Sequence, residues 1–409
     1  MSKPSVEPEP VASDGKLTPA PLDIATSKSV PANNVNASSG KSYTAKQGNI
    51  YYGDDIIYIN GINWSGFESF NNLGSLQEAS VENHIKNLIA YGFNALRITL
   101  PLDVMMDPDK VKPGNFSETH NPDLKGKSCA EHLDNVIKLC AKYGVLVMLN
   151  HYNSKAQAPI EKLWFSAEHP EEELLKAWAA LTKRYKQSAN VFAMDIKNEP
   201  HGKASEGGHA TWGDGSPNDF AKWCEKAGNA ILDINPNLLI CCDGVEYMRW
   251  GDDISGAITR PVNLKLKDKV FYSPHIYQLD PDWLAGSPTK TFEAYLDKIM
   301  GDAVTKGLTV VIGEYGYSAN PAVIAKDGKN DKYYSVASQQ EYITQLTAYC
   351  NKKGIVNAFY WEVVHNAGLG LSIYERDENG SAPGGKLTLV PGKVDQIMKL
   401  QTKRTVLKF

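Results

Sequence analysis

The sequence predicts an α/β chain folded as a (β/α)8 TIM barrel with an N-terminal hairpin and an extended N-terminal arm. Three observations carry this. Apolar strand-like runs alternate with amphipathic helical stretches along most of the 409 residues, a pattern that demands parallel strands joined by right-handed crossovers. Eight such runs can be read, which favours a closed ring over an open doubly wound sheet. No Gly-rich phosphate loop follows the first of them, which removes the main reason to prefer a dinucleotide-binding sheet.

In chain order, residues 1–42 contain no aromatic residue up to Ser42 and are punctuated by Pro4, Pro8, Pro10, Pro19, Pro21 and Pro31 in a Ser, Ala, Asn and Glu background. Such a segment buries too little apolar surface to fold alone and is expected to be an arm or linker, with the barrel spanning 43–409. Extended at ~3.1 Å per residue, it is long enough to reach a neighbouring subunit, so a homo-oligomer built by exchange of the arm is one expectation. From Asn49 the pattern is that of a hairpin turning at Gly53-Asp54 and leading into the first barrel strand. The eight strands are expected at 59–64, 95–100, 145–151, 191–198, 238–244, 270–275, 309–314 and 358–362. Helices are expected between them at 81–91, 130–143, 172–185, 219–234, 292–304 and 339–351.

Composition excludes several classes. A hydrophobic content of 42% and a charged content of 22% are ordinary for a globular chain, and the net charge of −4 lacks the basic footprint of a nucleic-acid binder. No apolar run of ~18 residues is present, so no membrane span is expected. No apolar h-region follows Met1; a secretory signal is expected to be absent from this sequence or already removed. Cys129, Cys140, Cys224, Cys241, Cys242 and Cys350 form no CxxC pattern and no metal-ligand spacing. They are expected to be mostly free, buried thiols, with one incidental disulfide as the alternative, and no metal or cofactor is expected.

Two strand ends carry the chemistry. The run from Val191 to Ile196 delivers Asn198-Glu199-Pro200, and the run from Thr309 to Ile312 delivers Gly313-Glu314-Tyr315-Gly316. A carboxylate at the end of an apolar strand is costly unless it is paired or used. At the mouth of a barrel, two such groups facing each other suit the cleavage of a glycosidic bond.

Taken with Arg97 in Asn-Ala-Leu-Arg-Ile, His275-Ile-Tyr277 and Tyr360-Trp361, these motifs resemble glycoside hydrolase family 5, the cellulase family. The five occur in the family's order from about Asn49 to the C-terminus. The stretch from Trp212 to Phe220, and the one from Ala227 to Ile240, are similar to the bacterial endoglucanase branch. The resemblance implies a retaining β-glucanase, acting on β-1,4 or mixed β-1,3/1,4 linkages, with Glu199 as acid/base and Glu314 as nucleophile. It implies that Arg97 and Tyr277 support the nucleophile, that Asn198 contacts the sugar 2-hydroxyl, that His275 lines the site and that Trp361 floors the −1 subsite. Mannanase, exo-glucosidase and transglycosylase activities are the alternatives within the class, and a non-hydrolytic glycan-binding barrel is the alternative outside it. The expected partner is a β-glucan polysaccharide or oligosaccharide, and the expected location is secreted or at the cell surface.

Two positions depart from the family pattern. At Leu149-Asn150-His151-Tyr152 the Asn is adjacent to the His and no second His follows; His151 is retained as a substrate-binding candidate. Lys197 stands where the family commonly has a small or apolar inner residue, and an outward-facing side chain would accommodate it. Trp64, Trp164, Trp212, Trp250 and Trp283 all lie in or beside loops that follow strands. Of these Trp64 and Trp212 are carried forward as sugar platforms, with core or lid packing as the alternative for each.

Overall fold

The computed structural model describes residues 32–36, 41–202, 205, 207–245, 252–279, 281–319, 335–364, 370–376 and 387–409. Strand β1 (Ala32–Asn36) lies within the arm, and β2 (Tyr43–Lys46), β3 (Asn49–Tyr52) and β4 (Asp55–Ile57) form an antiparallel sheet before the barrel. Tyr52 pairs with Asp55, so Gly53-Asp54 is a two-residue turn, and Gly53 supplies the positive φ of 63° that such a turn requires. The β2–β3 turn at Gln47-Gly48 works in the same way, with φ of 51° and 75°.

The barrel follows as β5 (Asn60–Trp64), β6 (Ala95–Leu100), β7 (Leu146–His151), β8 (Val191–Asp195), β9 (Leu239–Asp243), β10 (Val270–Ser273), β11 (His275–Ile276), β12 (Ile312–Tyr315) and β13 (Ala358–Tyr360). All pair in parallel, in the order β10-β9-β8-β7-β6-β5-β13-β12-β11. Strands β10 and β11 are two halves of one expected run, divided by Pro274, which has no N–H to give to a ladder. One half pairs with β9 and the other with β12, so the ring closes through this sixth strand.

Helices occupy Val81–Ala90, Cys129–Lys142, Glu171–Arg184, Phe220–Ile234 and Val336–Lys353, within a few residues of expectation. Ser128 and Glu131 make a capping box, and Asp219 caps its helix through Lys222 N. The helix expected at 292–304 is broken. Phe292–Leu296 passes into a π-turn at Asp297–Gly301 before Asp302–Thr305, and Tyr349 Oη donates to Asp297 Oδ1 at 2.7 Å where the turn widens.

Below the barrel, Tyr43, Ile50, Tyr52 and Ile57 pack with Ala95, Leu146, Phe192, Leu239, Phe271, Val311 and Phe359, near the N-terminal ends of the strands. The small sheet therefore plugs one end of the barrel, and the other end is left for chemistry. Strand β14 (Tyr374–Arg376) pairs with β15 (Leu387–Leu389), and β16 (Arg404–Lys408) returns to β1 as a parallel pair, Ala32 opposite Arg404. Within this single chain, residues 32–36 thus pair with the C-terminal strand. All six cysteines are free and buried, without the incidental disulfide. No helix among the described residues is long and apolar enough to cross a membrane.

Candidate active site

Alternation along each strand sends every second side chain into the barrel. On β6 this puts Arg97 above Ala95, on β8 Asp195 above Ala193, and on β9 Asp243 above Cys241, so the apolar floor gives way to a polar layer. Arg97 is fully buried. Its Nε donates to Asp195 Oδ2 at 2.7 Å, Nη1 to Glu314 Oε1 at 2.7 Å and to Asn63 Oδ1 at 3.0 Å, and Nη2 to Asn198 Oδ1 at 2.8 Å. Burial alone would favour losing the Arg97 proton, but Asp195, Glu314 and Asp243 outweigh it and the guanidinium stays charged.

Glu314 lies on β12 with a donor on each oxygen: Arg97 on Oε1, and the Tyr277 hydroxyl on Oε2 at 2.8 Å. Gly313 makes room for this arrangement, since a Cβ there would stand 2.2 Å from Ser273 Oγ and 2.8 Å from His275 Nε2. Burial raises the Glu314 carboxyl above its usual range, opposed by His275, Arg97 and the Tyr277 hydroxyl. Burial also lowers His275 itself to about 4, so the cation facing Glu314 at neutral pH is Arg97.

Glu199 follows β8 in a left-handed conformation, φ 45°, uncommon for any residue but glycine. Its neighbours hold it there: Asn198 N donates to His151 O at 2.8 Å, and Glu199 N to Asp243 Oδ2 at 3.1 Å. Among the described residues the Glu199 carboxyl is bonded to the His275 ring, Nδ1 to Oε1 at 3.0 Å, and burial lifts it to about 7 against the pull of Arg97, Lys197 and His201. The same Nδ1 lies 3.7 Å from Glu314 Oε1. The sum of these two distances caps the gap between the two oxygens, and a bend of about 30° or more at the nitrogen brings it below the ~6.5–9.5 Å of inverting pairs.

Trp361 follows β13, is 9% exposed and lies nearly parallel to Tyr152, at 15° with ring centroids 6.2 Å apart. Asn198 is buried, and its Nδ2 has no partner among the described residues. His151 is buried with Nδ1 unpartnered, and burial holds the ring neutral. Glu199, Glu314, Arg97, Tyr277, Asn198 and His275 are thus joined in one network, with His151 linked to it through its backbone.

Residues 54–366 match the family described as cellulase (glycosyl hydrolase family 5). The chain belongs to glycosyl hydrolase family 5. This cellulase-family chain is 32% identical to an endoglucanase of Paenibacillus polymyxa over 254 residues, 59% of this chain and 62% of that one. It is 28% identical to a major extracellular endoglucanase of Xanthomonas campestris pv. campestris over 354 residues, 82% of this chain and 67% of that protein. A complex of an endocellulase from Pyrococcus horikoshii with cellotetraose superposes with a TM-score of 0.75 at 25% identity, covering 89% of this chain and 100% of that one. The chain spans 62% of the length of the Paenibacillus protein.

Three expectations for this family 5 chain are corrected. Trp64 is fully buried, with Nε1 donating to Gly74 O at 3.1 Å and its edge against His84; it is a core residue and offers no face to a sugar. Trp212 packs on Phe220 and Tyr272, donates to Arg260 O at 2.9 Å and covers Gly256, so its ring is taken up in packing beside the helix Phe220–Ile234. Lys197 faces inward: it is 1% exposed, with Nζ donating to the carbonyls of Tyr152 and Asn198, each at 2.8 Å, and burial lowers it to about 8. Trp164 is likewise core, stacked on Trp223. Trp250 and the side chain of Trp283 lie outside the described residues.

Sequence reasoning missed Asn63, Asp195, Asp243, Asp252 and Tyr152. For Asp195 and Asp243 a signal was present, an acid in phase with small or apolar residues on an inward strand face. For Asp252, which reaches the site from a loop, there was none.

Proposed function

We propose that the chain is a retaining β-glucan hydrolase, an endo-β-1,4-glucanase that also accepts mixed β-1,3/1,4 linkages, with Glu199 as acid/base and Glu314 as nucleophile. The observation that carries this reading is the asymmetry of the two carboxyls around one imidazole. Glu314 has a cation and a hydroxyl donating to it, which favours its anion; Glu199 has no cation bonded to it among the described residues and is pushed up to about 7, which favours its acid. Two carboxyls whose bonded partners favour opposite protonation states, close together at a barrel mouth, meet the demands of double displacement.

In the first step the Glu199 proton passes to the glycosidic oxygen while Glu314 bonds to the anomeric carbon. The leaving sugar departs, and Glu199, now ionised, takes a proton from the water that releases the glycosyl group. The open Asn198 Nδ2 is a donor for the 2-hydroxyl, and Trp361 beside Tyr152 supplies an apolar face for the ring. The endoglucanase names of the Paenibacillus and Xanthomonas relatives, and the cellotetraose in the Pyrococcus complex, support a cellulose-type substrate. The word extracellular in the Xanthomonas name supports export, and residues 1–42 would then serve as an arm outside the catalytic unit of 43–409.

The test is Glu199→Ala on two substrates. Hydrolysis of carboxymethylcellulose and barley glucan is expected to collapse, while glycosyl-enzyme formation from an activated aryl cellobioside survives and added azide restores turnover as the glycosyl azide. Equal loss on both substrates without rescue would contradict the assignment.

A further inference from the structure

Beside the two glutamates stands a third acid that the double displacement leaves without a role. Asp252 is fully buried, and among the described residues neither of its carboxyl oxygens has a hydrogen-bond partner. Its Oδ2 lies 3.5 Å from His275 Nδ1, the nitrogen that meets Glu199 Oε1 at 3.0 Å. Oxygens of Asp252 and Glu199 and a nitrogen of His275 all lie within 4.8 Å of one another.

The position is built, not incidental. Asp252 N donates to His275 O at 3.0 Å, and the next residue, Asp253, bridges Val245 just beyond β9. Gly244 allows this approach, because a Cβ there would stand 2.6 Å from the Asp253 backbone. The charged and titratable groups facing Asp252 are His275 on β11, Glu199 after β8, Asp243 on β9, Glu314 on β12 and Arg97 on β6. Those facing Glu199 add Lys197 and His201. Arg97 is already bonded to Asp195, Glu314 and Asn198, and Lys197 to two carbonyls. No cation is bonded to either Asp252 or Glu199 among the described residues.

Two largely buried carboxyls so close, without a bonded cation among the described residues, cannot both be ionised cheaply; a proton held between them is lost against the charge that remains. We propose that Asp252 is a positioning residue for the proton of Glu199, a third carboxyl that keeps the pair singly protonated into the pH range where the acid must still hold its proton. The inference rests on the reading of Glu199 as acid/base. It adds that the alkaline limit of activity is set by a residue from the loop after β9, outside the nucleophile's own network.

The test compares wild type, Asp252→Asn, Asp252→Ser and Glu199→Ala, each assayed on carboxymethylcellulose and on an activated aryl cellobioside across pH. With Asp252→Asn the alkaline limb of kcat/KM on carboxymethylcellulose is expected to move down by about one pH unit or more, since repulsion from a buried charge has gone. Formation of the glycosyl-enzyme from the activated substrate, which needs little acid assistance, is expected to keep its alkaline limb. Asp252→Ser, smaller and uncharged, is expected to shift in the same direction, which guards against an effect peculiar to the amide. An unmoved limb in both variants, or an equal loss on both substrates with the profile unchanged, would overturn the role of Asp252. The Glu199→Ala arm separates the two ideas: if azide fails to rescue it, the reading of Glu199 fails, and if azide rescues it while the Asp252 variants keep the wild-type limb, only the present inference fails.

Discussion

At the residue scale the barrel mouth is an excess of buried acid held around one guanidinium. Tyr277→Phe removes one of the two donors on Glu314 while Arg97 keeps the other. A hydrogen bond to a charged group contributes ~1.5–3 kcal/mol, so kcat/KM is expected to fall about 10- to 100-fold with the fold unchanged by circular dichroism. The raised Glu199 carboxyl carries a stability signature as well. A carboxyl with a folded-state pKa above its unfolded value favours the fold fully below the unfolded value, and that contribution is lost as pH rises through about 7. Glu199→Gln, which stays neutral, is therefore expected to match the wild-type Tm near pH 4 and exceed it near pH 8, as measured by calorimetry at both pH values. A wild-type advantage at pH 8 would contradict burial as the source of the shift. Arg97, Glu199 and Glu314 were legible in the sequence because a charged residue inside an apolar strand has few inexpensive explanations. Asp252 was not, because its approach depends on Asp253 pairing with Val245 beside Gly244, a tertiary event that leaves no local pattern.

At the scale of elements, strand and helix positions could be read because periodicity is local, and departures came where distant groups intrude. The sixth strand splits at Pro274, and the helix from Phe292 widens into a π-turn where the Tyr349 hydroxyl reaches Asp297. Strand β2 escaped notice because Gln47-Gly48 lacks the Asn-Gly or Asp-Gly signature of a two-residue turn. The tryptophans show the same limit: position after a strand says that a side chain is near the mouth, not which way it turns. Trp64 points into the packing between β5 and the helix Val81–Ala90 and is bonded to Gly74, whereas Trp361 keeps partial exposure next to Tyr152. Trp64→Ala is therefore expected to cost ~3–5 kcal/mol in denaturant unfolding, with the KM of the surviving folded enzyme unchanged. Trp361→Ala is expected to retain most of its stability and lose at least about 10-fold in kcat/KM. The reverse pattern would exchange their roles.

For the whole molecule, the chain divides its two ends between structure and chemistry: the β2–β4 sheet closes the N-terminal end of the barrel, and the opposite end holds every group of the candidate site. The arm joins the structural end, since β1 adds to β16 and β16 is tied to the barrel through Tyr58 and Thr405, each donating its N–H to the other residue at 3.0 Å or less. Deleting residues 1–36 is expected to lower Tm while leaving the mass by light scattering and the early products from barley glucan unchanged; a drop in mass or a change of products would support the exchange of arms between subunits. The pairing of β1 with β16 lay beyond sequence reading, because a Pro-punctuated arm carries no signal for a strand that borrows its edge from residues at the far end of the chain. The central claim, that Glu314 attacks the anomeric carbon, is tested most directly by incubating the protein with an activated 2-deoxy-2-fluoro cellobioside and measuring intact and peptide masses. One added fluoro-cellobiosyl group, located on the peptide at Glu314 and absent in Glu314→Gln, is the expected result; a label on any other residue would contradict the claim.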